Sequence, residues 1–273
     1  MSTPTGRFCG KVAFITGAAR GVGRAHAVRL AEEGADIIAL DACAPVVETG
    51  YPPATPADLE QTVDLVRAVG RRIVTTQVDV RDHPALQESL HRGVAELGRL
   101  DVVISNAGVG NWGRFWEITE SQWREVIDVN LTGVFHTLKA AAPVLIDQDQ
   151  GGSIVVVSSV AGLKAVPGQA HYVASKHAVT GLVKNAAIEL APYRIRVNSL
   201  HPWGIDTDRG RDTWARPLIE ANPTWQTSFG QIITDPPSSD PADIAAAGAW
   251  LASDEARTVT GTQLSVDHCA TQV

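Results

Sequence analysis

The sequence predicts an α/β fold, a doubly wound parallel sheet of about seven strands with helices on both faces, built as a single domain over residues 1–273. Three observations predict it. Short β-branched apolar runs alternate with longer helical patterns along the chain. Those runs are apolar throughout rather than alternately polar, as strands covered on both faces must be. The first run passes through a glycine-rich turn directly into a helical stretch.

In chain order, KVAFIT (11–16) is the first strand, and TGAARGVG, Thr16 to Gly23, is the turn that leads into the helical run RAHAVRLAEEG. Glycines at 17, 21 and 23 permit a tight turn, let backbone approach a pyrophosphate and let helix pack close to strand. The helix N-terminus beyond them favours an anion near Gly21 and Val22. ADIIAL (35–40) is the second strand, and Asp41 at its end stands 24 residues after Gly17. A carboxylate there accepts both adenosine ribose hydroxyls and repels a 2′-phosphate, which favours NAD over NADP. Arg20 in the turn is open to three readings: pairing with a 2′-phosphate, pairing with Asp41, or solvent. RIVTTQV (72–78), DVVIS (101–105), SIVVVSS (153–159), RIRVNSL (194–200) and GTQLSV (261–266) complete the sheet. Two proline-rich segments, 41–58 and 202–240, read as irregular, and the second follows a strand end, where ligands bind in such sheets.

Composition narrows the function classes. The 273 residues are 44% hydrophobic and 19% charged, with net charge −7, which argues against general affinity for nucleic acid or an anionic membrane. No apolar run is expected to reach the roughly 18–20 residues that span a bilayer, and no signal-type segment stands at the N-terminus, so a cytoplasmic protein is expected. Cys9, Cys43 and Cys269 are scattered and suggest neither disulfides nor a metal cluster. His171, His177 and His201 match no zinc spacing, so no metal is assigned; His171 is expected at substrate or solvent and His177 packed on its helix.

YVASK, Tyr172 to Lys176, opens a helical run, and its i, i+4 spacing puts phenol and ammonium on one face. A phenol is a poor base near neutral pH, but an adjacent cation stabilises phenolate and makes Tyr172 a proton acceptor from an alcohol. Ser159, at a strand end thirteen residues earlier, is placed to hydrogen-bond the same substrate oxygen. VNLTG puts Asn130 within a helix.

With TGAARGVG, VD at 78–79, NAG at 106–108, VN at 129–130, SS at 158–159 and YVASK in one order over nearly the whole chain, the sequence resembles the short-chain dehydrogenase/reductase family, whose fold is the Rossmann fold. The resemblance implies a tetrad: Asn130 holding a relay water, Ser159 orienting substrate, Tyr172 moving the proton and Lys176 lowering its pKa while binding the nicotinamide ribose. It implies that Asp79 and Val80 border adenine, and that Asn106, Ala107 and Gly108 line the cofactor channel. In HPWGIDT, Pro202, Ile205 and Thr207 fit the family's contacts to the carboxamide, while Trp203 stands where many members carry Gly. The resemblance also implies a homotetramer built with the long helices around 120–147 and 170–191 and the C-terminal strand.

The segment DACAPVVETGYPPATPADL resembles the insertion of a subgroup, the mycofactocin-associated, carveol dehydrogenase-like oxidoreductases, in which NAD stays bound and a mycofactocin-type carrier removes the electrons. Four prolines lower the entropy cost of ordering such a loop. It then acts as a clasp over the adenosine end; the alternative is a surface elaboration or subunit contact. Trp112, Trp203 and Trp214, with Trp116 and Trp225 near them in sequence, suggest an apolar pocket for a bulky, carveol-like secondary alcohol. Competing readings are a carbonyl, ketoacyl or steroid reductase that exchanges NAD(P)H freely, and a non-catalytic NAD-binding regulator.

Overall fold

The structure, a computed structural model, describes residues 6–45 and 48–273. Val46 and Val47 of the expected insertion therefore lie outside the described residues. Seven strands form one parallel sheet among them: β1 (Val12–Thr16), β2 (Asp36–Asp41), β3 (Ile73–Gln77), β4 (Val102–Ser105), β5 (Gly152–Val157), β6 (Ile195–Pro202) and β7 (Gln263–Val266), in the order 3-2-1-4-5-6-7. All seven coincide with the apolar runs read from sequence. The order reverses between β1 and β4, so the chain leaves these two strands in opposite directions and opens a crevice beyond their carboxyl ends.

Alternation along each strand feeds two cores. Val12 and Phe14 point with Ile38 and Leu40 toward α3 (His83–Leu97), α5 (Gly133–Gln148) and α6 (Ala170–Leu190), where Leu86, Leu90, Leu138, Leu145 and Val183 meet them. Ala13 and Ile15 point with Ile37 and Ile104 toward α1 (Gly21–Glu32) and α8 (Pro241–Ala252), against Leu30, Ile244 and Leu251. This is why the strands carry no polar face.

Helix α4 (Glu120–Ile127) runs through a π-helical turn, Asp128–Thr132, into α5. Asn130 sits in that turn, the kind of helical irregularity that recurs at functional sites. The continuous Glu120–Gln148 helix is long and apolar enough to cross a bilayer by length and composition, but half of its apolar window is buried and it packs on α3 and α6.

The two segments read as irregular are shorter on loop than expected. Helix α2 (Pro56–Ala68) already begins at Pro56, because Thr55 and Asp58 form a reciprocal capping box at 3.2 and 2.8 Å. The 202–240 region contains α7 (Ala215–Glu220) and 3₁₀ turns at Arg209–Arg211 and Pro223–Phe229.

Candidate active site

A cavity of about 1010 Å³ runs through the crevice from Asp41 to the tryptophans beyond Tyr172. Its dinucleotide end is built by the turn after β1. Gly17 and Gly21 hold φ of 68° and 53°, and a Cβ on Gly17 would lie 2.8 Å from the Ala107 Cα. Gly23 faces inward instead: a Cβ there would meet the Gly17 carbonyl at 1.9 Å, so its service is close packing of α1 on β1. Arg20, at the N-cap of α1, makes no side-chain cap and no acidic residue occupies the first turn, which leaves the helix N–H groups directed at the cavity beside Gly21 and Val22.

At the other side of that turn, the Asp41 carboxylate accepts one N–H on each oxygen, from Ala19 and Cys43 at 3.0 Å. Each oxygen keeps lone pairs for a ribose. Asp79, Val80, Ala107, Gly108, Pro202, Ile205 and Thr207 also line the cavity, with Asp79 held by Arg81 at 2.6 Å. Asn106 lines it too, but its amide is spent on the Thr16 and Gly17 carbonyls at 3.1 and 3.0 Å, tying the ends of β1 and β4 together.

Arg20 lines the cavity but is neither paired with Asp41 nor left to solvent alone. Its guanidinium pairs with Asp208 at 2.9 Å and donates to the Pro52 carbonyl, bridging the glycine turn, the loop after β6 and the insertion. The insertion reaches farther than the adenosine end. Glu48 accepts from Asn111 at 3.0 Å, the Gly50 carbonyl accepts from the Thr213 N–H and hydroxyl at 3.2 and 3.0 Å, and the Tyr51 hydroxyl donates to Gly110 at 3.4 Å. Pro45, Thr49, Tyr51 and Pro53 line the cavity, so the segment spans it lengthwise.

At the catalytic end, Tyr172 and Lys176 project from the first turns of α6, both nearly fully buried. Lys176 donates to the Val157 carbonyl at 3.0 Å and stands 5.6 Å from the Tyr172 ring centroid. Burial raises the phenol's pKa, but the charges of Arg209 and Lys176, with hydrogen bonds from Ser159 and Arg209, outweigh it and hold the phenol below its ordinary value. Burial also lowers the Lys176 ammonium, which the tyrosine opposes. Ser159 lies two residues past β5, where its Oγ accepts the Ala161 N–H at 3.1 Å and its O–H is left for the phenol or a substrate.

Asn130 is fully buried and does not line the cavity: its amide donates to and accepts from the Val109 backbone, both at 2.8 Å, fixing the chain that follows the NAG turn. The structure thus brings Ser159, Tyr172 and Lys176 together around one point and sets Asn130 behind them.

Two histidines hold this arrangement. His201 Nδ1 donates to the Ser159 carbonyl at 2.7 Å and its Nε2 faces Ser199 at 2.8 Å; burial pushes its pKa to about 4, so the ring is neutral and anchors Ser159. His171 is fully buried, not at solvent, and links Tyr172's helix through Asn111 to Glu48 of the insertion. His177 is exposed rather than packed and bonds only the carbonyl four residues back. Among the described residues no group of three His, Cys, Asp or Glu side chains is placed to hold a metal ion.

Trp112 and Trp203 form the apolar wall with Phe229, whose ring lies 6.0 and 6.3 Å from theirs, and with Val166. Trp214 does not belong to it. Its backbone N–H is bound by Asp212 at the head of α7, it is 37% exposed, and it does not line the cavity. Trp116 is likewise exposed, and Trp225 packs beside Gly168 outside the cavity. Sequence reasoning missed Phe229, Tyr51, Asn111, the anchoring role of His201 and Arg209. Phe229, Asn111 and Arg209 lie in no motif, and although His201 opens HPWGIDT and Tyr51 lies in the insertion, only the fold shows what their side chains hold.

Residues 11–217 match the family model of the short chain dehydrogenases, and the chain belongs to that family. It is 49% identical over 272 residues to an uncharacterized NAD-dependent oxidoreductase of Mycobacterium tuberculosis, covering 99% of each chain. It is 44% identical over 267 residues to (-)-trans-carveol dehydrogenase of Rhodococcus erythropolis, covering 94% of this chain and 96% of the other. The structure of carveol dehydrogenase from Mycobacterium avium in complex with NAD superposes with a TM-score of 0.93 at 47% identity, over 98% of this chain and all of that one.

Proposed function

We propose that the chain is an NAD-dependent short-chain alcohol dehydrogenase that interconverts a bulky hydrophobic secondary alcohol, carveol-like in shape, and its ketone. The observation that carries this is the phenol of Tyr172, held below its ordinary pKa at the meeting point of a dinucleotide cleft and an apolar pocket. The uncapped α1 N-terminus, the Gly17 and Gly21 cradle and the Asp41 carboxylate fit NAD: anion at the helix, adenosine ribose at Asp41. The NAD-bound neighbour and the NAD-dependent relatives support the same assignment.

NAD, when bound, supplies the hydride acceptor. The chain's own residues handle the proton and the geometry. Ser159, its backbone fixed by His201, donates its O–H to the substrate oxygen and fixes it beside the phenol. Tyr172 takes the hydroxyl proton, favoured by the nearby Lys176 and Arg209 cations. Lys176, held by the Val157 carbonyl, stands beside the phenol and favours its ionised form. Asn130 positions Val109 and, through it, the floor of the channel. Trp112, Trp203 and Phe229 exclude water and offer flat apolar surface.

The insertion acts as a strap over NAD, tied at Asn111, Thr213, Gly110 and Arg20, and slows its release. Retention of that kind suits reoxidation in place by a mycofactocin-type carrier. A cytoplasmic homotetramer is the expected form; Phe135 on α5 and Ile188 on α6, 46% and 77% exposed, support burial of those helices by other subunits.

Tyr172→Phe tests the chemistry. Turnover of secondary alcohols should fall by at least about 10²-fold while NAD binding stays near wild type. Full turnover by the variant would refute the role of the phenol.

A further inference from the structure

Beside Tyr172, the site holds a second cation, Arg209, which helps to lower the phenol's pKa but has no carboxylate of its own among the described residues. The Arg209 guanidinium stacks 4.2 Å from the Tyr172 ring centroid, and a Cβ on Gly110 would lie 2.9 Å from one of its nitrogens. It is therefore wedged between the chain after the NAG turn and the tyrosine face. The acids around it are engaged elsewhere: Asp208 with Arg20 at 2.9 Å and Asp206 with Arg211 at 2.6 Å. Among the described residues no carboxylate oxygen comes within ion-pair distance of Arg209. The guanidinium is hydrogen-bonded to the Tyr172 hydroxyl, and Asp212 acts on it only through its charge; one Asp212 oxygen binds the Trp214 N–H and the other is buried without a side-chain partner. With Lys176 also cationic, the catalytic end of the cavity carries excess positive charge beside an apolar wall.

Resting on the alcohol dehydrogenase reading, we propose that Arg209 is the receptor for a carboxylate on the substrate, so that the preferred substrate is an apolar secondary alcohol that also bears an acid group. A guanidinium offers a planar fork matched to a carboxylate, and one left without an acid partner in a confined site favours a ligand that brings one. The cofactor's phosphates do not fill this need. The uncapped α1 N-terminus beside Gly21 and Val22 would take them, whereas Arg209 lies against Gly110 and Tyr172. Trp112, Trp203 and Phe229 then hold the ring of the same molecule.

The test uses the full-length protein with NAD, ring-hydroxylated cyclohexanecarboxylates and their methyl esters, with an artificial electron acceptor present. Wild type should favour acid over ester in kcat/KM by about 10- to 100-fold, the range of one charge-assisted pair, and Arg209→Met should abolish the ratio. The ratio is insensitive to any loss of rate common to both substrates. Quenching of the pocket tryptophans by cyclohexanecarboxylate, against its methyl ester, gives a readout without turnover. Tight, Arg209-dependent binding of the acid with no oxidation of any alcohol would support the receptor and sink the dehydrogenase reading. Oxidation of neutral alcohols with no preference for acids would leave that reading intact and overturn the receptor. Loss of NAD binding in Arg209→Met, with the acid preference unchanged, would overturn it too and place the guanidinium on the cofactor.

Discussion

Acidification should unlock the active site before the carboxylates of the surface titrate, because three buried histidines are neutral in the folded chain. His26, His171 and His201 are fully buried, and burial lowers each from 6.5 to about 4. The unfolded chain therefore binds more protons between those values. The stability each contributes is complete above pH of about 6.5, falls as pH drops through the window and is gone below about 4. Each shift amounts to about 3 kcal/mol in full, and about 2 kcal/mol of it is lost by pH of about 5. Together the three remove roughly 6 kcal/mol, a large part of a typical total of about 5–15 kcal/mol. Two of the three hold the site: His201 seats Ser159, and His171 holds Asn111, whose amide in turn ties down the insertion. The assay is urea unfolding followed by tryptophan fluorescence at a series of pH values between neutrality and pH of about 5. His26 lies under α8, where a Cβ on Gly248 would meet its Nε2 at 2.2 Å, and serves as a control remote from the chemistry. His26→Asn keeps a donor for the Val22 carbonyl and should remove about a third of the pH dependence. A urea midpoint that does not move across this range would refute the neutral-histidine account.

Two substitutions bear on the strap and the pocket. A Cβ on Gly50 would come within 2.1 Å of the Asp212 carboxylate, so Gly50→Ala should displace the insertion from Thr213 and speed NADH release, followed by fluorescence after dilution; an unaltered rate would show that the strap does not govern retention. Trp203→Ala removes one of the two indoles that flank Phe229 and should lower kcat/KM for large cyclic alcohols by about 10- to 100-fold relative to small ones, measured as a ratio across a homologous series. An unchanged ratio would remove Trp203 from the substrate wall.

The sheet, the glycine cradle and the Ser159, Tyr172 and Lys176 constellation were legible because each is local. An apolar run, a positive-φ glycine and an i, i+4 pair all leave their marks within a few residues. Arg209 leaves no such mark. It sits in a polar stretch, RGRD, and only the return of the loop after β6 across Tyr172 makes it part of the site. The same holds for Tyr51 and Asn111, which reach the Gly110 and Glu48 carbonyls across 59 and 63 residues of sequence. Trp214 lies in the substrate-side segment as expected, but Asp212 binds its backbone N–H at the head of α7 and it does not line the cavity. Arg20 was ambiguous in sequence because its partners, Asp208 and Pro52, come from two loops that only the folded cleft brings together.

The most direct test of the account is to dialyse the purified protein exhaustively without nucleotide, denature it, and identify and quantify what is released by mass spectrometry. The Asp41 ribose site and the strap across the cleft predict a stoichiometric amount of NAD or NADH. An empty protein would contradict retention by the insertion, and NADP in its place would contradict the reading of Asp41.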